Sequence, residues 1–285
     1  MSEEVARVED FVFEPKVTLI SRPNFLDQGA SAVTGFPEFT DSDEDSEKLV
    51  EFGGRVCYLS YGKGRKTNKE YIENLLKSGH GSVLEHANFT FCFEGVSRSL
   101  THELVRHRAG FAFSQLSQRY VDEEIHPIVV PPMFQRVQEL SDSTIDTEVK
   151  QICEGILNSF ATACETSKTA YANIRDGLIA LFDHPEDPLA MKDLAQTDRR
   201  KAGRGTARSV LPNAQETKIV VTANARSWRH FIEMRGSEHA DAEIRTLAIE
   251  VLKILAQEAP NLFGDYTLVQ LPDGSFAAQT QYRKV

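Results

Sequence analysis

The spacing of apolar residues along the chain predicts a protein rich in helices with a smaller sheet. Apolar side chains recur mostly every three or four positions over residues 147–182, which is the period of an amphipathic helix. Phe89, Phe91 and Phe93 follow the period of two that is typical of a strand with one buried face. Because strands and helices do not alternate regularly, we expect an α+β fold that is helix-rich and has a mainly antiparallel sheet.

Shorter patterns predict the remaining elements. Thr67 and Glu70 have the spacing of a helix-capping box, and Gly79 is expected to end that helix. Asp273-Gly274 predicts the turn of a C-terminal hairpin. The other expected segments are strands over 16–20 and 216–223, helices over 46–58, 98–108, 189–210, 226–236 and 239–258, and a linker over 30–47.

Composition and charge narrow the classes of partner. The chain has 285 residues, of which 41% are hydrophobic and 26% are charged, and its formal net charge is −10. A nucleic-acid polymer is a poor match for so acidic a protein, since that affinity comes mainly from neutralised phosphates. Residues 1–50 contain 12 acidic and four basic residues, so we expect a solvated tail and a solvated acidic run over 41–47.

The cysteines and the start of the chain indicate a reducing compartment. Four cysteines without a C-x-x-C pair do not make a disulfide framework. We expect all four to be small core residues: Cys57, Cys92, Cys153 and Cys164. No signal peptide and no apolar run of about eighteen residues is recognisable, so the cytoplasm is the expected location and no membrane partner is expected.

Three basic segments are candidate binding sites. Residues 106–119 hold three arginines and a histidine without an acidic residue, and the arginine fork suits phosphate. Polar side chains among them can bind a planar, hydrogen-bonding ligand. Residues 199–208 hold five basic residues and no acidic one, and a third group lies on the helix expected over 226–236. Plain charged surface is the alternative for each segment.

Two histidine patterns raise the question of a metal site. His80 and His86 bracket the run H-G-S-V-L-E-H, while His102-Glu103 precedes His107. The second pattern does not match H-E-x-x-H, because a gap of five residues turns the two imidazoles away from each other on a helix. We therefore expect no metal.

Taken together, these residues resemble the flavin-dependent thymidylate synthases. R-H-R at 106–108 followed by S-x-R at 117–119 is similar to the signature of that family. The resemblance covers about residues 50–265. Other motifs occur in the family's order: H-G-S-V-L-E-H at 80–86, A-R-S-V-L-P at 207–212, N-A-R-S-W-R-H-F-I-E-M-R at 224–235 and S-E-H-A-D-A-E-I-R at 237–245.

The chain departs from the family signature at one point. Residues 109–116 make eight positions between R-H-R and S-x-R, where the usual signature has seven. We expect the extra residue to loop out near Gly110, because glycine tolerates unusual backbone angles.

The resemblance implies the flavin-dependent thymidylate synthase fold and its reaction. That reaction is the reductive methylation of dUMP to dTMP by methylenetetrahydrofolate, with FAD as redox carrier and NADPH as reductant. The family also implies a homotetramer with shared active sites. We accordingly divide the chain into an acidic extension with the first strand over 1–45 and a single catalytic domain over 46–285.

The resemblance also implies roles for individual residues. His80 and Arg235 are implied as catalytic. The residues implied to contact FAD are Ser82, Arg106, His107, Arg108, Gln115, Asn224, Ala225, Arg226 and His230. The residues implied to bind dUMP, partly from a neighbouring chain, are Glu103, Leu104, Val105, Arg106, Gln115, Leu116, Ser117, Gln118, Arg119, Arg208 and Arg235.

The residues themselves favour flavin hydride transfer over a protein nucleophile. The cysteines lie in apolar segments without a neighbouring base, and Ser117 has no base among its neighbours. The protein would then position and polarise the substrate while the cofactor carries out the redox chemistry. Arg235, a permanent cation, would favour ionisation of the uracil imide.

Two other functions remain open from the sequence. One is a different flavin- or nucleotide-dependent enzyme on the same scaffold. The other is a non-catalytic nucleotide-binding regulator, which would have lost its chemistry although the arginines and His80 are present.

Overall fold

The computed structural model describes residues 11–36 and 40–283; the acidic start of the chain and residues 37–39 of the expected linker lie outside the described residues. The helices are α1 (Asp27–Thr34), α2 (Asp45–Tyr58), α3 (Asn68–Lys77), α4 (Arg98–Leu104), α5 (Pro132–Ser143), α6 (Thr147–Phe182), α7 (Gln196–Ala207), α8 (Ala225–Arg235), α9 (Ala242–Glu258) and α10 (Pro260–Phe263). The strands are β1 (Phe11–Val12), β2 (Lys16–Ser21), β3 (Asn88–Ser97), β4 (Phe111–Gln115), β5 (Ile128–Val129), β6 (Glu216–Asn224), β7 (Thr267–Gln270) and β8 (Phe276–Gln279).

The largest sheet has the strand order β2-β3-β6-β4. Its two central strands, β3 and β6, are antiparallel, because residues later in β3 contact residues earlier in β6. The hydroxyl oxygens of Thr90 and Thr222 are 2.9 Å apart, and the Gly95 amide donates to the Glu216 carboxylate at 2.9 Å. The hairpin of β7 and β8 is also antiparallel, whereas the two-residue pair of β1 and β5 is parallel. The expected α+β fold with a mainly antiparallel sheet is confirmed.

The chain separates into two compact units. The first unit comprises the described part of Met1–Pro15, together with Glu94–His102 and Gln115–Lys218. The second unit comprises Lys16–Phe93, Glu103–Ser114 and the described part of Ile219–Val285. Each unit has its own set of helices, with α5, α6 and α7 in the first and α8, α9 and α10 in the second.

The core of the second unit forms where the phenylalanines of β3 meet α8. Phe89, Phe91 and Phe93 are fully buried, as the alternating pattern predicted. The Trp228 ring lies edge-on to Phe91 with ring centroids 5.2 Å apart, and its indole nitrogen donates to the Phe89 carbonyl at 3.2 Å. Burial of large aromatic rings at this contact fixes α8 on the sheet, because such rings remove much apolar area from water.

Helix α6 dominates the first unit. It spans Thr147–Phe182, the same bounds that the apolar period predicted, and the Asp146 carboxylate caps it by accepting from the Glu148 amide at 2.9 Å. The Phe134 ring of α5 stacks on Phe160 at 4.4 Å. No helix in the described part of the chain is both long enough and apolar enough to cross a membrane.

Several local predictions are confirmed. Strand β2, helix α2 and strand β6 lie at the expected positions, and Gly274 forms the hairpin turn with a φ of +82°. The Thr67 hydroxyl caps α3 by accepting from the Glu70 amide at 3.2 Å. The Glu70 carboxylate accepts from the Lys66 amide instead of the Thr67 amide, so the capping box is shifted by one residue on that side.

Two helix predictions are too long. The helix expected over 98–108 ends at Leu104, because the Arg106 and His107 amides donate three positions back in a tight turn. Strand β4 then follows, which the sequence did not predict. The helix expected over 189–210 begins only at Gln196, because Asp187 and Ala190 have left-handed backbone conformations.

The predicted linker and the cysteines also need correction. Helix α1 continues to Thr34 and α2 begins at Asp45, so the ends of the expected linker over 30–47 are helical. Glu47, in the acidic run expected to be solvated, is 1% exposed and accepts from the Asn261 amide. Cys153 and Cys164 are buried as expected, but Cys57 is exposed and Cys92 is only partly buried.

Candidate active site

A cavity of about 640 Å³ opens beside the first turns of α8, in the second unit. This volume lies within the usual range for sites of small molecules and cofactors. The residues that line the cavity are Glu85, Ala109, Gly110, Asn224, Arg226, Ser227 and His230. Asn224, Arg226 and His230 are among the residues expected to contact FAD, whereas the sequence missed the other four.

The start of α8 is fixed by a cap that belongs to the cavity wall. The Asn224 side-chain oxygen accepts from the Ser227 amide at 2.9 Å, which caps the helix directly after β6. The Ser227 hydroxyl donates to the Ala109 carbonyl at 2.8 Å. The loop that follows R-H-R is therefore tied to the first turn of α8, whose N-terminal end favours an anion.

Gly110 adopts a backbone conformation that favours glycine, which is compatible with the predicted position of the extra signature residue. Its φ is +75°, in the left-handed region that glycine reaches without strain. A Cβ at this position would meet the Ser227 hydroxyl and the Asn224 amide. Only glycine fits this part of the wall without displacing the helix cap.

Arg226 supplies a cation at the cavity. Its guanidinium donates to the Glu85 carboxylate at 2.7 Å, and both side chains are about half exposed. An exposed ion pair contributes little to stability and exchanges partners readily. The Arg226 guanidinium is therefore placed where an anionic ligand in the cavity can reach it.

The last turn of α8 carries Arg235, which forms what we call the Arg235 cluster with Glu103 and His107. The Arg235 Nε–H donates to His107 Nε2 at 3.0 Å, and its Nη1 donates to the Glu103 carboxylate at 2.6 Å. These bonds join the two segments that resemble the family motifs. The arginine is thus held at two points before any ligand arrives.

His107 is kept uncharged by its surroundings. Burial, helped by the charges of Arg235 and His230, lowers the pKa of His107 from 6.5 to about 4. Its ring lies 5.4 Å from the Phe231 ring and 5.9 Å from the His230 ring, measured between centroids. At neutral pH a lone pair on Nε2 is therefore available to Arg235.

Other predicted residues of the second unit differ in exposure. His80 lies directly before the short turn Gly81–His86, and its side chain is exposed. Leu104 and Ala225 are fully buried, so only their backbone groups can reach a ligand. The remaining predicted residues with exposed side chains here are Ser82, Val105, Arg106 and Arg108.

The segment of Gln115 to Arg119, expected to bind dUMP, belongs to the first unit. The Gln115 amide donates to the Thr101 hydroxyl at 2.9 Å, and the Leu116 amide donates to the Lys218 carbonyl at 2.9 Å. The Ser117 carbonyl accepts from the amides of Tyr120 and Val121, which forms a tight turn. This segment is therefore fixed largely by its backbone.

Arg98 and Glu123 stabilise the same segment, and the sequence missed both. The Arg98 guanidinium donates to the Leu116 carbonyl at 2.9 Å and lies 3.4 Å from the Glu123 carboxylate. Burial lowers the pKa of Arg98, and the charge of Arg208, a residue expected to bind dUMP, acts in the same direction. In the sequence, Arg98 is a single arginine after a strand, and nothing around it indicates this role.

In the folded chain, the basic run at 199–208 has acidic partners from other segments. Arg204 donates to the Tyr120 carbonyl at 2.8 Å and lies 3.4 Å from the Asp122 carboxylate. Arg199 lies 3.2 Å from Asp183. Acidic residues that are remote in the sequence thus offset part of this cluster, while the Arg208 side chain stays exposed.

The sequence of this chain is similar to that of known proteins over most of its length. The family model described as "Thymidylate synthase complementing protein" matches residues 38–261. A flavin-dependent thymidylate synthase of Mycobacterium avium (strain 104) is 46% identical over 267 residues, which cover 92% of this chain and 94% of that protein. The enzymes of the same name from Mycobacterium sp. (strain JLS) and Mycobacterium tuberculosis (strain ATCC 25177 / H37Ra) are 45% and 43% identical over 93% and 92% of this chain, and over 95% and 94% of their own lengths.

Both the family match and these relatives extend over most of the chain and include the segments that form the cavity and the Arg235 cluster. The resemblance inferred from the motifs is therefore confirmed. This chain belongs to the thymidylate synthase complementing protein family, the family of the flavin-dependent thymidylate synthases.

Proposed function

We propose that this chain is a flavin-dependent thymidylate synthase that converts dUMP to dTMP. The observation that carries the proposal is the arrangement along α8. Its first turns line a cavity with Asn224, Arg226 and His230, and its last turn holds Arg235 against the uncharged His107. A cavity in the usual size range for cofactors, on the same helix as a fixed cation, suits a reaction in which the protein orients and polarises a nucleotide.

We propose FAD as the flavin. The cavity volume, the N-terminal end of α8 and the cation of Arg226 suit a large anionic cofactor. When bound, FAD supplies the two-electron redox chemistry, with NADPH as the reductant and methylenetetrahydrofolate as the carbon donor. The residues proposed to hold it are Ser82, Arg106, His107, Arg108, Gln115, Asn224, Ala225, Arg226 and His230, with His80 as a catalytic residue close by.

For dUMP, we propose that Arg235 is the polarising residue. Glu103 and His107 fix its guanidinium, and the permanent positive charge favours the ionised form of the uracil imide by stabilising loss of the imide proton. The residues proposed to bind dUMP in the second unit are Glu103, Leu104, Val105, Arg106 and Arg235. Those proposed to bind it in the first unit are Gln115, Leu116, Ser117, Gln118, Arg119 and Arg208.

The cysteines support a reaction without a protein thiolate. Cys153 and Cys164 are buried in α6, and burial raises the pKa of Cys164. The Cys57 thiol donates to the Gly53 carbonyl of its own helix at 3.3 Å. A nucleophilic thiol needs a base or a cationic setting that lowers its pKa, and these contacts do not supply one.

We also propose a cytoplasmic homotetramer with shared active sites, in which residues 46–285 act as one catalytic domain behind the extension over 1–45. Apolar side chains exposed on α5 and α6 support assembly, since patches of this kind mark interfaces. Ile152 is 56% exposed and Met133 is 61% exposed. Sedimentation of the purified protein measures the number of chains directly.

The test of the function is tritium release from dUMP labelled on C5, measured with FAD, NADPH and methylenetetrahydrofolate. Arg235→Lys should still bind FAD but lower kcat about a hundredfold, since lysine lacks the fork that reaches Glu103 and His107 together. Arg283→Lys is the matched control, because Arg283 is 70% exposed and pairs with Glu233 at 3.0 Å. The control should keep wild-type turnover.

Three results would contradict parts of this proposal. A protein that retains no flavin absorbance after incubation with FAD and removal of the free FAD would exclude a flavin enzyme and leave the nucleotide-binding regulator. Flavin binding without tritium release would indicate a different flavin- or nucleotide-dependent enzyme. Near-normal turnover of Arg235→Lys would contradict the polarising role of Arg235 and leave the proposed reaction intact.

A further inference from the structure

Glu123 is a fully buried carboxylate that the proposed reaction does not use. It lies in the first unit, four residues after the segment of Gln115 to Arg119, and its exposed fraction is 0%. Its backbone is fixed on both sides, since its amide donates to the Tyr171 hydroxyl at 3.4 Å and its carbonyl accepts from the Gln215 amide at 3.3 Å. A charged group at such a place needs a compensating partner.

The partners of Glu123 lead back to the proposed dUMP segment. Its carboxylate lies 3.4 Å from the Arg98 guanidinium, and the nearby Gln118 side chain opposes the rise of the Glu123 pKa that burial causes. The same Arg98 nitrogen donates to the Leu116 carbonyl at 2.9 Å. We call Glu123, Arg98, Gln118 and Leu116 the Glu123 cluster.

The charges around Glu123 are mixed. Arg98 is the cation nearest to it, while His126 lies 3.4 Å from Glu216, a second carboxylate that is 3% exposed. Burial raises the pKa of Glu123, and the positive charge of Arg98 opposes that rise. Glu123 therefore attracts the Arg98 guanidinium. This attraction also orients the N–H group that Arg98 donates to the Leu116 carbonyl.

We propose that Glu123 is a positioning residue for the dUMP segment, acting through Arg98 on the backbone of Leu116. This inference rests on the proposed function, since it assigns a structural cause to the geometry of residues proposed to bind dUMP. A buried pair is suited to this task, because groups with few other partners hold one geometry.

The neighbouring acidic residues have a different role. Asp122 and Glu124 both pair with Arg175 at 2.8 Å, and the Glu124 side chain is 54% exposed. Neither has a contact with Arg98 of the kind that Glu123 makes. Glu124 is therefore a matched control, being the same residue type one position away in an exposed ion pair.

The experiment compares Glu123→Gln with Glu124→Gln in the full-length holoenzyme. Equilibrium binding of dUMP and the KM for dUMP should both weaken about tenfold in Glu123→Gln, because a neutral amide no longer attracts Arg98. The kcat at saturating dUMP should stay within about twofold, and the flavin absorbance should be unchanged. Glu124→Gln should match the wild type in all four measurements.

Glu123→Asp is the second variant, since it keeps the charge but shortens the side chain by one methylene. It should weaken dUMP binding less than Glu123→Gln does. Wild-type dUMP binding in a folded Glu123→Gln protein would overturn the positioning role and leave the proposed function intact. Loss of fold in both variants, with Glu124→Gln folded, would assign Glu123 to stability and also overturn the role. A wild-type protein that binds no dUMP would overturn both proposals.

Discussion

Arg235 in the second unit and Arg98 in the first unit each donate to a carboxylate, but the two carboxylates differ in exposure. The Glu103 side chain, which pairs with Arg235, is 38% exposed, whereas Glu123, which pairs with Arg98, is 0% exposed. Water stabilises the first carboxylate when the pair opens, but not the second. The Arg235 pair thus lies where water and a ligand can reach its carboxylate, whereas the Arg98 pair is suited to hold one position.

The second partner of each arginine differs in the same sense. Arg235 also donates to an imidazole that can gain a proton, and Arg98 also donates to a backbone carbonyl that cannot. The difference lies in the partners, since the Arg235 and Arg98 side chains are themselves 23% and 20% exposed. Under the proposed roles, the chain uses similar ion pairs for binding and for positioning, and the pairs differ in the burial of the carboxylate.

The largest predicted effect concerns the cavity of the second unit, the unit that contains Arg235. If this cavity does not bind the flavin, the contrast between a binding unit and a positioning unit fails. Gly110→Ala should weaken FAD binding about tenfold or more, because the added Cβ meets the Ser227 hydroxyl and the Asn224 amide. Titration of the apoprotein with FAD, followed by absorbance, measures this change.

Gly64→Ala is the control for backbone strain. Gly64 has a φ of +79°, close to that of Gly110, but a Cβ there meets no atom within 4 Å. Both variants should lose about 1 kcal/mol of stability through strain, and Gly110→Ala should lose more because its Cβ also disturbs the cap of α8. Equal FAD affinities in the two variants would show that Gly110 does not shape the cofactor cavity.

The dependence of the Arg235 cluster on pH gives the next largest effect. Since the pKa of His107 falls from 6.5 to about 4 on folding, its contribution is complete above pH 6.5 and is lost as the pH falls toward 4. His107→Gln keeps an acceptor for Arg235 but does not titrate. Urea unfolding of the apoprotein between pH 7 and pH 5 should show a slope about 1 kcal/mol per pH unit steeper for the wild type than for the variant. Parallel slopes would contradict an uncharged His107.

The smallest effect concerns the exposed pair. Glu103→Gln should lower the free energy of unfolding by no more than about 1 kcal/mol, and salt near 1 M should remove most of this difference. The change caused by Glu123→Gln should depend far less on salt, because its carboxylate is shielded from solvent. Equal salt dependence of the two variants would contradict the difference in exposure between the clusters.

The sequence predicted elements whose cause is local. Helix α6 has its predicted bounds because one apolar period runs through it and Asp146 caps it. Strand β4 was missed because its residues lie among charged and polar neighbours that suggested a binding loop. Its geometry depends on the tight turn after Leu104 and on Gly110, neither of which determines a strand by itself.

The candidate site was predictable only as a set of residue types. The motifs that resemble the family indicated Arg235, His107 and Asn224 by position, but the bond between Arg235 and Glu103 joins residues 132 positions apart. Arg98 and Glu123 could not be found, because a charge in a short segment gives no sign of its burial. The acidic partners of the basic run at 199–208 could not be found for a related reason, since Asp122 approaches Arg204 only in the folded chain.

The bond from Arg235 to His107 also determines the direction of hydrogen bonding at the site. Because Nε2 accepts from Arg235, the single proton of the neutral imidazole belongs on Nδ1. The free edge of the ring is therefore a donor, and an atom placed against it has to be an acceptor. A single bond thus selects among tautomers, and with them among the functional groups that a ligand can present to this ring.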